Sequence, residues 1–293
     1  MTIAKRKPAW LKVKAPLGKT YAEVRKLLGG LDLHTVCQEA NCPNRFECWS
    51  QKTSTFMILG DRCTRNCRFC NVSHGKPSAP DLNEPERVAT AVSRLGLKYA
   101  VITSVTRDDL PDGGASMFAA TIHAIRQKTP DVGIEVLIPD FHGSADNLQV
   151  VLDAAPDVIN HNIETTRRVT PIVRRGANYD RSLELLARVA ESGLGITTKS
   201  GVIVGMGESV AGLQETFEDL AHVSCQLLTI GQYLAPSEKH HPIEKYYRPE
   251  EFDELKDIAL DCGIESVIAG PLVRSSYHAR EQSDMFKLVN HQK

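Results

Sequence analysis

From residue 54 onward the chain alternates short apolar, β-rich runs with longer amphipathic stretches. The runs fall at 55–59, 99–105, 134–138, 158–163, 198–204 and 227–233. Between them, and once after the last, apolar residues recur at helical spacing over about 84–95, 114–128, 145–154, 180–192, 209–222 and 250–261. Strands separated by helix-length segments predict a parallel sheet with right-handed crossovers. Six such units fall short of the eight that close a full barrel. The expected fold class is therefore α/β, an open partial (β/α)6 barrel with N-terminal and C-terminal extensions over its mouth. The division that follows is 1–53 for the N-terminal extension, 54–262 for the barrel and 263–293 for the tail.

Ahead of the barrel, residues 20–28 carry a short helical pattern with Val24, Leu27 and Leu28 on one face and Gly29 and Gly30 as its stop. The segment before it holds Lys5, Arg6, Lys7, Trp10, Lys12 and Lys14, punctuated by Pro8 and Pro16, which disfavour a helix. It reads first as a solvated arm with one anchoring Trp, and second as a basic segment that docks an acidic partner.

Composition narrows the function classes. The 293 residues are 42% hydrophobic and 24% charged, an ordinary soluble globular balance. A net charge of −1 supplies no basic field to recruit nucleic acid or an anionic membrane. No apolar stretch is long enough to span a bilayer, and Lys5 to Lys7 are followed by no apolar region of a secretory signal. Of the eight cysteines, six lie in two tight clusters, which points to metal binding in a reducing cytoplasm.

Those clusters carry the candidate chemistry. Cys63, Cys67 and Cys70 form C-x3-C-x2-C in the loop leaving the first strand. Thiolates are soft ligands that select zinc, copper(I) or iron–sulfur clusters. A closed zinc site or an electron-transfer cluster usually takes four protein ligands, so three leave one metal position open for a small molecule. The plainer alternatives are structural zinc with a distant fourth ligand, or thiols with no role. Cys37, Cys42 and Cys48 form a second set, C-x4-C-x5-C. Here a disulfide with a spare thiol, or zinc borrowing His34, compete with a second cluster. Two three-cysteine sets so close together disfavour both, because each alternative leaves odd thiols exposed to oxidation. Cys225 and Cys262 stand alone among apolar neighbours and read as small buried hydrophobes. His240 and His241 read as surface or groove residues, and 232–237 as a groove lining.

The C-x3-C-x2-C run with Phe69 before its last cysteine resembles the cluster loop of the radical S-adenosylmethionine (radical SAM) superfamily. Three motifs sharpen the resemblance to the lipoyl synthase family: C-x4-C-x5-C, then C-x3-C-x2-C, then Arg274, Ser275, Ser276, Tyr277, His278 and Ala279 in the pattern R-S-S-Y-x-A. It implies two 4Fe–4S clusters: one at Cys63, Cys67 and Cys70 whose open iron is chelated by S-adenosylmethionine (SAM), and an auxiliary one at Cys37, Cys42, Cys48 and Ser276. Ser276 thereby gains a catalytic role, since an oxygen on a soft iron is a mismatched, displaceable ligand.

Toward SAM, the resemblance and the strand-end loops together nominate Phe69, Thr106, Asn162, Glu164, Arg175 and Ile203. Thr106 belongs to a run, 103–109, whose hydroxyls and carboxylates suit an ammonium. Asn162 and Glu164 share one side of a strand at period two, with Glu164 suited to the ribose hydroxyls. Arg174 and Arg175 offer a guanidinium fork for the carboxylate, and Ile203, in a G-x-I-x-G-x-x-E segment, borders the adenine. Each reads equally as a helix cap or turn residue. The implied reaction is sulfur insertion at C6 and C8 of a protein-bound octanoyl-lysine, a sulfurtransferase step that needs a radical because an unactivated C–H bond offers acid–base catalysis no handle. The implied partners are octanoylated lipoyl domains of 2-oxoacid dehydrogenases, the glycine-cleavage H protein, an external reductant and cluster-assembly proteins. The rival readings are a biotin-synthase-like sulfur inserter, which shares only the first cysteine motif, and a non-catalytic electron-transfer or zinc scaffold.

Overall fold

The computed structural model describes residues 7–13 and 18–290. Lys5, Arg6, Lys14 and Pro16 of the basic arm lie outside the described residues. Within them, Trp10 donates its Nε1–H to the Tyr247 carbonyl at 3.2 Å, and its neighbour Leu11 is fully buried, so the arm has an anchor of two residues.

The elements follow in order as α1 (Lys19–Gly30), β1 (His34–Thr35), α2 (Val36–Glu39), α3 (Arg45–Ser50), β2 (Thr55–Ile58), α4 (Glu84–Leu95), β3 (Tyr99–Ser104) and α5 (Ala115–Lys128). Then come β4 (Gly133–Leu137), α6 (Ala145–Asp153), β5 (Val158–Asn160), α7 (Thr170–Val173), α8 (Tyr179–Glu191), β6 (Thr197–Val204) and α9 (Val210–His222). The chain ends with β7 (Leu227–Gln232), α10 (Pro249–Asp261), β8 (Ser266–Gly270) and α11 (Ala279–Asn290). One sheet holds all eight strands in sequence order; β1 runs antiparallel to β2, and every later pairing is parallel. The six predicted β/α units are present and the sheet is not closed by hydrogen bonds, as a partial barrel requires. Two strands exceed the expectation, the two-residue β1 and the parallel β8. No helix among the described residues is long and apolar enough to cross a membrane.

Local chemistry explains the helix ends. Ser144, Asn178 and Ser209 each accept a hydrogen bond from a backbone N–H three residues on, capping α6, α8 and α9. α4 has Pro85 in its first turn and stops at Gly96 in the left-handed conformation. Alternate strand residues face outward, where Ile58, Ile102 and Ile134 pack under Val88, Val92, Phe118 and Ile122 of α4 and α5. A companion core sets Val204, Leu228 and Ile230 against Phe217, Phe252 and Leu255.

The inward residues are more polar. At the lower end of the barrel Lys199 and Glu135 form a fully buried ion pair at 3.0 Å. Tyr99 and Asn160 also donate to that carboxylate, at 3.0 and 3.2 Å. α11 packs beneath, with Gln282 donating to the Leu228 carbonyl. The N-terminal extension and the C-terminal segment meet at the open edge: Asn44 Nδ2 donates to the Leu272 carbonyl at 2.7 Å, and the Thr55 hydroxyl to Ser276 Oγ at 2.8 Å. Gly231 makes that approach possible, since a Cβ there would stand 2.1 Å from the Val273 carbonyl oxygen. Gly231→Ala is therefore expected to destabilise the protein by about 1–3 kcal/mol and to speed amide exchange across 272–278. Unchanged exchange in that segment would show that it does not depend on the notch.

Candidate active site

The first cysteine set sits where β2 ends. Leu59 adopts a left-handed turn (φ 70°), its N–H held by the buried Glu84 carboxylate at 2.7 Å and its carbonyl by Arg107. The loop then runs outward and is fastened on several sides. The Cys63 sulfur accepts the N–H groups of Arg65 and Thr106 at 3.4 and 3.3 Å. Arg65 grips Asp108 with two nitrogens and Asp140 at 2.7 Å. Burial alone would raise the Asp140 carboxyl, but the hydrogen bonds and charge of Arg65 hold it down to about 2. His240 donates from Nε2 to the Cys70 carbonyl at 3.1 Å and His241 N–H to the Arg68 carbonyl, so the segment after β7 covers the loop from the far side.

The second set is built by α2, α3 and the link between them: Cys37 is buried, Cys42 and Cys48 half-buried. All eight cysteines are free thiols, which leaves no disulfide in either set. Burial pushes the thiols up, to about 11 for Cys37 and Cys67 and about 12 for Cys48 and Cys70. Bare, these sulfurs stay protonated at neutral pH; a metal centre would have to displace the protons. Among the described residues no three His, Cys, Asp or Glu side chains converge closely enough for a single ion.

Both sets open onto one chamber of about 1050 Å³, and all six of these cysteines and Ser276 line it. So do Phe69, Thr106, Asn162, Glu164 and Ile203. Phe69 and Ile203 share an apolar cluster with Val173, Met206 and Tyr233. Thr106 holds the loop through its backbone, accepting from Thr64 and donating toward Cys63. Arg175 is exposed and away from the chamber wall, whereas its neighbour Arg174 is buried and lines it. Arg174 donates to the Ile163 carbonyl and to Ser182. Adjacent residues in a turn face opposite ways, which sequence could not resolve for this pair.

Glu164 occupies the left-handed region (φ 67°), a strained position for a residue with a side chain. Burial raises its carboxyl against the opposing pull of Arg174, the Asn162 hydrogen bond and Arg274. Asn162 Oδ1 and Ser104 Oγ, both on the chamber wall, are buried without a hydrogen-bond partner. A Cβ at Gly201 would stand 2.7 Å from that Asn162 oxygen. Unmatched acceptors and donors, a glycine notch and a strained carboxylate fit a bound polar molecule such as SAM, and the two thiol sets fit iron–sulfur clusters. Glu208, at the end of the G-x-I-x-G-x-x-E segment, accepts the N–H groups of Gly205 and Met206 and so shapes the turn. Cys225 is buried as expected; Cys262, at the end of α10, is only partly so.

His161, also on the wall, is 2% exposed. Its Nδ1 faces the Ile138 carbonyl at 2.9 Å and therefore carries the proton, and its Nε2 meets Ser182 Oγ. Burial, then the charge of Arg174, push it down to about 4. An unfolded histidine titrates near 6.5, so below that pH the unfolded chain binds a proton the folded one refuses. Stability is full above 6.5 and falls as pH drops toward 4, by about 2 kcal/mol at pH 5. His161→Asn is expected to remove that part of the slope; urea unfolding at pH 7 and 5 checks it, and an unchanged slope in the variant rejects it.

Comparison with known proteins agrees with this geometry. The radical SAM superfamily profile matches residues 57–220, and that of the N-terminal domain of lipoyl synthase of the radical SAM family matches 2–42. A lipoyl synthase of Symbiobacterium thermophilum is 56% identical over 278 residues, covering 95% of this chain and 87% of its own length. One of Rubrobacter xylanophilus is 54% identical with the same coverage. In fold, the crystal structure of a methylornithine synthase superposes with a TM-score of 0.52 at 11% identity, covering 80% of each chain. Identity above half over nearly the full length leaves one assignment: the chain belongs to the lipoyl synthase family of the radical SAM superfamily.

Proposed function

We propose that the chain inserts two sulfur atoms, at C6 and C8, into an octanoyl group held in amide linkage on a carrier-protein lysine. The family supplies the coarser part: a radical SAM enzyme of lipoate biosynthesis that uses SAM and a 4Fe–4S cluster and acts on lipoyl-domain proteins. When bound, SAM and the first cluster would supply the radical chemistry that an unactivated C–H bond requires, and an auxiliary cluster would supply the sulfur. Cys63, Cys67 and Cys70 would hold the first cluster; Cys37, Cys42, Cys48 and Ser276 would hold the second.

One observation carries this reading. Both cysteine sets and Ser276 line the same chamber, so a chain lying in it can meet both centres without leaving. The protein's own part is positioning and shielding. Glu164 and Asn162 would orient the ribose, Arg174 rather than the exposed Arg175 would pair with the methionine carboxylate, and Phe69 and Ile203 would flank the adenine. Thr55 orients the Ser276 oxygen through its hydroxyl. Octanoylated lipoyl domains of 2-oxoacid dehydrogenases and the glycine-cleavage H protein are the proposed carriers, with an external reductant and cluster-assembly proteins as accessory partners.

The test is anaerobic. The reconstituted protein is given SAM, a strong reductant and an octanoyl-lysine peptide, and the peptide is read by mass spectrometry. Two sulfurs gained with two 5′-deoxyadenosines formed is the expected result. Deoxyadenosine without sulfur on the peptide would sink the insertion reading.

A further inference from the structure

Cys37 is the most enclosed of the N-terminal cysteines, at 5% exposed. Three donors from two segments stand close enough to its sulfur to pull the thiol down against the effect of burial: the indole N–H of Trp49 on α3, the Ser54 hydroxyl just before β2, and the Thr55 backbone N–H that begins β2. Trp49 is 1% exposed and Ser54 8%, yet neither Nε1 nor Oγ completes a hydrogen bond, with the neutral Cys37 thiol or with any other group. A buried donor without an acceptor is destabilising and rare, so two of them aimed at one sulfur need a cause. A neutral thiol is a weak acceptor; a thiolate is a strong one. The Trp49 ring is fixed independently by Tyr21, centroid to centroid 5.2 Å, so its N–H does not swing freely. By contrast, the Thr53 hydroxyl beside Cys48 is already used on the Cys48 carbonyl, at 2.8 Å.

We propose that Trp49 and Ser54 are positioning residues of the second cysteine site: they donate to the Cys37 sulfur when it is a metal-bound thiolate, make it the anchoring ligand, and raise the potential at which that cluster is reduced. The inference rests on the two-cluster reading above. Hydrogen bonds to ligand sulfur favour the more electron-rich, reduced cluster. The site is thereby asymmetric, held firmly at Cys37 and loosely at the Ser276 oxygen on the facing strap.

Trp49→Phe keeps an aromatic ring beside Tyr21 but deletes the N–H, and Ser54→Ala deletes the O–H. The full-length, two-cluster protein is titrated potentiometrically with electron paramagnetic resonance as readout, and iron extraction by a chelator is timed in parallel. At fixed potential the reduced-to-oxidised ratio of the second cluster is expected to fall about three- to tenfold for each variant. Its loss to chelator should speed by a similar factor while the first cluster, an internal reference, stays put. Ser54→Thr, which keeps the hydroxyl, is expected to restore both. Wild-type potential and extraction rate in both deletion variants overturn the proposal. A wild-type protein that binds about four irons per chain, rather than the roughly eight of two four-iron clusters, overturns the two-cluster reading itself and the inference with it.

Discussion

Cys42→Ala is expected to abolish sulfur transfer to an octanoyl-lysine peptide while leaving reductive formation of 5′-deoxyadenosine; Cys67→Ala is expected to abolish both. Removing Cys67 leaves the first set two thiols, and removing Cys42 leaves the second set two thiols and only the mismatched, displaceable Ser276 oxygen, so neither reduced set holds its cluster firmly. Cys67 and Cys42 lie on different walls of the chamber, one in the loop after β2 and the other between α2 and α3, so each loss stays with its own set. Neither side chain is part of the apolar cores, and both variants should fold. Chromatography of deoxyadenosine and mass spectrometry of the peptide read the two outcomes separately. Loss of deoxyadenosine in Cys42→Ala would mean that the sets do not act independently, and the division of labour proposed here would fall.

The second large effect lies at the floor of the barrel. Lys199→Met is expected to destabilise the fold by about 3–5 kcal/mol, a large part of the stability of an ordinary domain. Lys199 and Glu135 are both fully buried. Without the ammonium, the Glu135 carboxylate keeps only the neutral donors Tyr99 and Asn160 and no counter-charge. The double variant Lys199→Met with Glu135→Leu removes both charges at similar volume and should recover most of the loss, because the cost comes from the stranded carboxylate. Denaturant unfolding of the four proteins in the cycle measures the coupling. A double variant no more stable than the single one would show that the pair holds the floor by its hydrogen bonds rather than by charge.

Periodicity made the barrel legible because its β/α units are local. Each outward strand face and its covering helix, such as Ile102 beneath Val92 and Phe118, are written within a few dozen residues. β8 was not legible. Ser266–Gly270 has a mixed burial pattern and a glycine end, and it is a strand because β7 pairs with it, not because its residues insist on one. β5 stops at Asn160, short of the apolar run to 163, because the chain turns at Glu164 into the left-handed region to face the chamber.

Chain spacing by itself determined that two local sets of three thiols exist and that a parallel open sheet carries one of them at a strand end; three thiols, acting as ligands, would leave a metal position free. Ligand spacing within a loop is local geometry, and no tertiary contact is needed to read it. The fold alone decided that residues far apart in sequence share a wall. Ser276 comes against Thr55 because Gly231 leaves room for the strap; Arg174 rather than Arg175 turns inward; Trp49 and Ser54 stand near Cys37 where α2 packs on β2. Those placements depend on strand register and on how the two chain ends pack across the open edge. No short-range pattern records such long-range contacts.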